Sequence, residues 1–322
     1  WARHDPRWAA ALAVGRGLPE DALWFERPAE DWQTQFPIGN GRMGAMLGWG
    51  IVEDTIAISE ETLVTLHANS TQGTPDKYDV FKKMRELLLQ GDVENAEKLA
   101  SKTDAREVGR FEYAGDLVLR FPGLEAAAVA DYTRVLDLSA GVAAARWSAG
   151  PEEALRRAPS AAQLDREGFL SAVDDVLALK LRCSPPPTEP AVAGAAAAGG
   201  QRPPPRMECP GLVVELKRDG EPNQQSASHV TAGPLDWKIG GHPATVLRLQ
   251  KTGLRDGEVV PFELCVAIAS VVVGAEAPAV APGGAAVTVG GPGARDVTLL
   301  ATVKTAHARS AAALRRATAM GG

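Results

Sequence analysis

The sequence predicts a mainly β protein: a large antiparallel β-sandwich (a supersandwich) with an inserted helical hairpin and a C-terminal linker helix. Three observations carry this. Many short segments alternate apolar and polar residues with the period of two that a half-buried strand requires. Clusters of glycine and proline separate them, as in a sandwich of many short strands. One stretch near residues 74–101 instead repeats its apolar residues every three to four positions, the period of an amphipathic helix.

In chain order, Leu23 to Leu63 reads as short β-prone pieces between glycine and polar turns. Within Ile51 to Ile58, the residues Val52, Ile56 and Ile58 share one parity, and Asp54 breaks it. Thr74 can cap a helix and Pro75 fits its first turn, where a missing N–H costs nothing. Tyr78, Phe81, Met84, Leu87 and Leu88 then form one apolar stripe, Gly91 stops the helix, and Asp92 caps a second from Val93 to about Ser101. Strand patterns resume at Asp116–Phe121, Tyr132–Leu138, Val142–Trp147 and Val176–Leu181. They continue at Leu212–Leu216, Thr245–Leu249, Phe262–Ala269, Ala286–Val289 and Val297–Val303. Between them, Ser184 to Pro210 holds two proline triplets around an alanine run, and reads as a disordered surface insertion with little to bury. Ala306 to Met320 reads as a short Ala- and Arg-rich helix.

Composition narrows the function. The 322 residues carry 34 Lys and Arg against 40 Asp and Glu, a net charge of -6, so no basic footprint offers itself to nucleic acid. The most apolar run, Leu264 to Gly274, is about half the length of the roughly 20 residues a membrane helix needs. Neither nucleic acid nor membrane is an expected partner. Cys183, Cys209 and Cys265 have no metal-ligand spacing; buried free thiols are the expectation, and one disulfide with a thiol left over is the alternative. The chain begins with Trp1 and shows no signal-peptide core, while Asn69-Ser70-Thr71 is an acceptor triplet that matters only in a secreted protein.

Gly39-x-Gly41-x-x-Gly44 formally matches a dinucleotide fingerprint, with Glu60 and Glu61 placed where the ribose-binding acid would stand. That chemistry needs a buried strand before the glycines and a helix after them. Here a polar, proline-broken segment precedes them and another strand comes after, so no nucleotide cofactor is expected. Glu60-Glu61, Glu152-Glu153 and Asp174-Asp175 are neighbours in sequence, so on a strand each pair splits between opposite faces and cannot flank a glycosidic bond unaided. The five histidines show no zinc spacing, and there is no nucleophile elbow or P-loop. No catalytic residue, metal ligand or cofactor site is assigned.

Several ordered blocks are recognisable together. Leu23-Trp24-Phe25-Glu26-Arg27-Pro28-Ala29-Glu30-Asp31-Trp32 is succeeded by Phe36-Pro37-Ile38-Gly39-Asn40-Gly41-Arg42-Met43-Gly44-Ala45-Met46, then by Ile58-Ser59-Glu60-Glu61-Thr62-Leu63. Tyr113-Ala114-Gly115-Asp116-Leu117 and Asp131-Tyr132-Thr133-Arg134-Val135-Leu136-Asp137-Leu138 complete the set. This series resembles the front of glycoside hydrolase family 95, the α-L-fucosidases. It is firm from Leu23 to about Trp147, patchy to Arg182, and returns at Asp296–Leu300. After Thr62-Leu63 the chain departs from that family, reading Val64-Thr65-Leu66-His67-Ala68-Asn69.

The resemblance implies an extension over 1–22, a sandwich over 23–303 and the start of a linker helix over 304–322, ahead of an (α/α)6 barrel. That barrel carries the acid and base for hydrolysis of α-linked fucose and has no counterpart in these residues. Fucosylated glycans, through a full-length enzyme, and the barrel itself are then the implied partners. Asn40, Arg42 and Glu61 are the candidates for the face that meets barrel or substrate, with strand-end hydrogen bonding as their structural reading. A related phosphorylase family shares the architecture, so the parent reaction stays open. A second reading is a free-standing carbohydrate-binding or scaffold module, with Trp24, Trp32, Trp49, Trp147 or Trp237 as candidate sugar-facing rings.

Overall fold

The structure is a computed structural model that describes residues 21–64, 78–101, 111–124, 127–155, 161–184, 209–218, 229–239, 242–251, 262–272, 279–280, 286–289 and 294–305. Most of the proline-rich insertion, the acceptor triplet, the Thr74-Pro75 helix start and the Ala306–Met320 helix lie outside these residues.

Two antiparallel sheets face one another, as the alternating pattern predicts. The larger has nine strands in the order β1 (Ala22–Phe25), β6 (Ala128–Asp137), β7 (Val142–Gly150), β8 (Ala162–Ser171), β9 (Val176–Ser184), β16 (Ala294–Thr305), β13 (Phe262–Val272), β12 (His242–Lys251) and β11 (His229–Ile239). The smaller has seven, in the order β14 (Ala279–Val280), β15 (Ala286–Val289), β10 (Leu212–Lys217), β5 (Phe111–Arg120), β4 (Glu53–Val64), β3 (Met43–Leu47) and β2 (Phe36–Gly39). Alternate residues of most strands fill one shared core: Leu47, Ile56, Ile58, Leu117 and Leu119 from the smaller sheet meet Trp147, Leu177, Leu179, Leu264 and Leu299 from the larger. Each fully buried Leu or Ile contributes about 1.5–3 kcal/mol relative to an exposed one.

Among the buried charges, Asp54 and Arg166 explain two irregularities in the sequence. Asp54, which breaks the β4 pattern, is 2% exposed, and its carboxylate lies 3.3 Å from the Arg166 guanidinium of β8 on the opposite sheet. Arg166 also donates to the carbonyl of Gly50 at 2.7 Å, and its guanidinium lies 4.0 Å from the Phe121 ring centre and 4.5 Å from Trp147. Backbone groups of Gly50 and Trp49 hydrogen-bond Asp54. Burial pushes the Asp54 carboxyl above its ordinary value against the pull of Arg166, and pushes Arg166 down to about 10. Strand β8 has no counterpart among the predicted segments because Arg166 and Gly168 occupy two of its core-facing places. A Cβ on Gly168 would lie 2.6 Å from the Leu179 side chain, so the site admits no larger residue without a shift. Strand β11 has none either; Gly233-Pro234 interrupts it, and its register shifts between Pro234 and Lys238.

The helical hairpin is present as α1 (Tyr78–Leu89) and α2 (Val93–Ser101). Gly91 takes a φ of 78°, the left-handed conformation of a helix stop, and the Asp92 carboxylate caps α2 by accepting from the Asn95 amide at 3.2 Å. The expected apolar stripe of α1 is covered along one edge only. Val80, Met84 and Leu87 are partly covered, while Phe81 and Leu88 beside them, and Leu89 further round the helix, are 60%, 53% and 77% exposed. Leu138 likewise lies past the end of β6 and is exposed rather than part of its buried face.

The cysteines depart from the expected free thiols. Cys183 at the end of β9 and Cys209 just before β10 form a disulfide, and Cys265 is free. Sequence spacing could not show this, because the pairing joins segments that belong to opposite sheets. Burial pushes the Cys265 thiol up to about 12, so it holds almost no thiolate near neutrality.

This core yields two tests. Asp54→Ala or Arg166→Ala strands one charge in the interior and is expected to lower unfolding free energy by about 3–5 kcal/mol, whereas Asp54→Leu with Arg166→Met is expected to recover much of it. Urea unfolding of the four proteins checks both. Alkylation at about pH 8 is expected to leave the folded chain unlabelled, to add one label on unfolding, and to add three on unfolding with reductant; mass spectrometry counts them.

Candidate functional site

At one end of the sandwich, four segments converge: the β2–β3 turn, β4 near Glu60, the β8–β9 turn at Ala172–Asp175, and the last residues of β16. Gly41, with a φ of 92°, lets the β2–β3 turn close tightly, and Asn40 fixes it. The Asn40 side-chain carbonyl accepts from the amides of Arg42 at 3.0 Å and Met43 at 2.7 Å. Its amide donates across the core to the Ser171 carbonyl at 2.8 Å and to the Asp175 carboxylate at 3.2 Å. The glycines of the fingerprint-like motif thus serve a hairpin turn between two strands.

Arg42 spans the same gap. Its Nε lies 3.1 Å from the Glu60 carboxylate and its Nη1 lies 3.3 Å from that of Asp175. Its Nη2 donates to the Val303 carbonyl at 3.1 Å. The Glu60 side chain is wholly buried and also accepts from the Thr62 amide at 2.9 Å and hydroxyl at 2.6 Å. The Thr62 and Thr305 hydroxyls lie 2.8 Å apart in a further hydrogen bond, and Thr302 donates to the Asp175 carbonyl at 2.9 Å. Arg42 is the hub: one guanidinium meets two carboxylates and a carbonyl, as its planar fork permits.

Of the predicted trio, Asn40 and Arg42 come together, while the Glu61 side chain is exposed and only its amide joins, donating to the Arg42 carbonyl at 3.0 Å. Glu60 stands in its place. The signal for this lies in the sequence: continuing the period of two from Ile56 and Ile58 turns Glu60 inward and Glu61 outward. Asp175 and Thr305 carry no such signal, since tertiary folding draws them in from a distant turn and a distant strand.

Glu60 is wholly buried and held by Arg42 and by the Thr62 amide and hydroxyl, while Asp175, about a third exposed, is held by Arg42 and the Asn40 amide. A cavity between Arg166, Cys183 and Pro210 measures about 30 Å3, room for about one water and not for a sugar. Among the described residues, no group of three or more His, Cys, Asp or Glu is placed to hold a metal, and no helix is long and apolar enough to cross a membrane. Of the candidate tryptophans, Trp49 and Trp147 are core residues at 1% and 0% exposure, Trp24 and Trp32 are exposed, and the Trp237 side chain is outside the described residues.

Known proteins share parts of this chain. The family described as glycosyl hydrolase family 65, N-terminal domain, matches residues 23–310. The chain belongs to that family. Over 184 residues it is also 29% identical to Alpha-L-fucosidase 2 of Arabidopsis thaliana, a match covering 55% of this chain and 20% of that protein. A putative kojibiose phosphorylase from human microbiome superposes with a TM-score of 0.40 at 7% identity, over 93% of this chain and 34% of that one. The chain therefore spans about a fifth of the length of the fucosidase it matches. The family found is numbered 65, where the sequence blocks resemble family 95; membership among glycosyl hydrolase domains is common to both.

The cluster generates its own test. Arg42→Met is expected to leave Glu60 buried without its cation and to cost about 3–5 kcal/mol, while Glu61→Gln is expected to stay within about 0.5 kcal/mol of the parent. Urea midpoints of the two variants separate Glu60 from Glu61 as the structural carboxylate.

Proposed function

We propose that this chain is the non-catalytic sandwich domain of an α-L-fucosidase-like glycoside hydrolase, whose Arg42 end faces the catalytic barrel. The observation that carries this reading is the 29% identity to Alpha-L-fucosidase 2, which the chain meets over a fifth of that protein's length. The geometry supports the orientation. Strand β16 ends at Thr305, hydrogen-bonded to Thr62, two residues before the end of β4 at Val64. The segment bearing the α1–α2 hairpin leaves β4 at that same end and returns where Phe111 pairs with Val64. The exposed Phe81, Leu88 and Leu89 face of α1 is apolar surface of the kind that marks a contact with another domain.

In this reading Asn40 and Arg42 position the sandwich face and do not touch the reacting bond. Glycoside hydrolysis requires a pair of carboxylates on either side of the scissile linkage. The carboxylates gathered here are already committed to Arg42. The purified chain is accordingly expected to release neither fucose nor nitrophenol from α-L-fucosides, measured by chromatography and absorbance. Turnover at about 1 per second or more, in the ordinary range for enzymes, would sink this reading.

A further inference from the structure

We infer that Asn40 is a modification site, a latent deamidation site that the closed β2–β3 turn guards, and whose conversion to Asp or isoaspartate releases the tie between the two sheets at the Arg42 end. The inference rests on the chemistry of this turn and not on which sugar the parent enzyme cleaves.

The sequence supplies the reactive pair. Of Asn40, Asn69, Asn95 and Asn223, only Asn40 is followed by glycine. In an Asn-Gly pair the glycine nitrogen can lose its proton to water or hydroxide and attack the asparagine Cγ, because no side chain on the second residue obstructs the approach. A bond forms between that nitrogen and Cγ, the Cγ–Nδ2 bond breaks, and Nδ2 leaves as ammonia with the proton given up. Water then opens the cyclic imide. Opening at Cγ gives Asp, and opening at the main-chain carbonyl gives isoaspartate, in which Cγ has entered the backbone. One water is consumed, one ammonia is released, and nothing is oxidised or reduced.

The attacking nitrogen is unguarded. Gly41 is exposed, a Cβ built on it would meet nothing within 4 Å, and no hydrogen bond engages its amide among the described residues. The barrier lies on the Asn40 side. Its Oδ1 accepts from the Arg42 and Met43 amides at 3.0 and 2.7 Å, and its Nδ2 donates to the Ser171 carbonyl at 2.8 Å and the Asp175 carboxylate at 3.2 Å. Attack turns the planar amide carbon tetrahedral and so draws both atoms out of these bonds. The two amides at Oδ1 would favour the negative charge that develops there. Around Nδ2 the effect is opposite. Both partners are acceptors, so neither brings the proton that the leaving nitrogen needs, and both hold it in place. Asp175 is itself fastened, its carboxylate 3.3 Å from Arg42 and its carbonyl accepting from Thr302. Reaction therefore waits on release of Nδ2 from the β8–β9 turn.

Conversion would undo the tie. An Asp at this position keeps one oxygen for the Arg42 and Met43 amides. Its other oxygen meets the Ser171 carbonyl and the Asp175 carboxylate, two acceptors where Nδ2 had donated, and like charges then face each other. Isoaspartate also lengthens by one backbone atom a turn closed by the Gly41 φ of 92° and by the Asn40 amide donating to the Met43 carbonyl at 3.2 Å. Either product separates the β2–β3 turn from the β8–β9 turn.

The test follows Asn40 in the whole chain by peptide mass spectrometry, in mildly alkaline buffer with and without urea above the unfolding transition. The folded chain is expected to convert Asn40 to the acid at least about tenfold more slowly than the unfolded chain. Asp175→Ala removes one Nδ2 partner and is expected to react at least about threefold faster than the parent while its circular dichroism stays native. Asn40→Asp is expected to raise the unfolding equilibrium constant about ten- to a hundredfold, and Asp175→Asn in that background, which returns a donor to the pair, to recover part of the loss. The rate comparisons use chains that carry Asn40, so they decide the matter even where Asn40→Asp does not fold. Equal rates in the folded and unfolded parent, an unchanged rate in Asp175→Ala, or an Asn40→Asp chain as stable as the parent each overturn the inference. None of these outcomes bears on whether the chain releases fucose, so this site and the proposed function fail separately.

Discussion

The Asp54–Arg166 pair is the constraint that each sheet imposes on the other, because neither charge can lie in the core without its partner. Each side chain comes from a different sheet, each is 2–3% exposed, and neither has water to fall back on. Removing a carboxylate and a guanidinium from water costs several kcal/mol apiece, and the shifts of both groups show that burial outweighs their mutual attraction. The surrounding geometry offsets this cost: the Gly50 carbonyl, the Gly50 and Trp49 backbone bonds to Asp54, and the Phe121 and Trp147 rings beside the guanidinium. Such an arrangement is satisfied in one sheet-on-sheet register.

The same device recurs along the sandwich. Arg134 on the larger sheet reaches carbonyls of Arg27 and Thr34, on the loop that leads into β2. Arg166, also on the larger sheet, reaches Gly50 and Asp54 before and within β4. Arg42, from the smaller sheet, reaches back to Val303 and Asp175. Three guanidinium groups therefore cross between the layers, each satisfying backbone carbonyls that a purely apolar interface would leave without donors. Lysine could not replace them, because a single ammonium lacks the planar spread of donors that lets one side chain serve three acceptors. Tyr132 adds a fourth tie, its hydroxyl donating to the Trp49 carbonyl at 2.7 Å; Trp49 itself holds a φ of 56°, unusual for so bulky a residue and kept in place by these contacts.

These ties also mark where the sequence was legible and where it was not. Strands whose core positions are all apolar, such as β9 and β16, stand out by alternation alone. Strand β8 does not, because its inward row runs Ala162, Leu164, Arg166, Gly168, Leu170, and a period-two search counts the arginine and the glycine as failures. Asp54 looks like a flaw in β4 for the same reason. The two flaws are complementary halves of one interaction, separated by 112 residues. At the end of the sandwich, Asn40 and Arg42 were legible as a polar turn among glycines, but their partners Asp175, Val303 and Thr305 are joined only by tertiary folding. The disulfide belongs to the same class: two cysteines with no local signature become neighbours once β9 and β10 are placed on facing sheets.

Arg42 differs from the other two cross-ties in position, and that difference bears on function. Arg134 and Arg166 lie within the breadth of the core, whereas Arg42 grips Val303, two residues before the described end of the last strand. Thr302 and Thr305 on that strand are fastened in turn to Asp175 and Thr62. The end of β16 is thereby held by residues of both sheets, and not merely by its neighbouring strand. A loosely held final strand would fray and swing, since strand ends lacking tertiary ties open at little cost. The Glu60 carboxylate is wholly buried and that of Asp175 about a third exposed, and the hydrogen bonds around them converge on the end of β16. These ties account for the buried charge of Glu60 in structural terms.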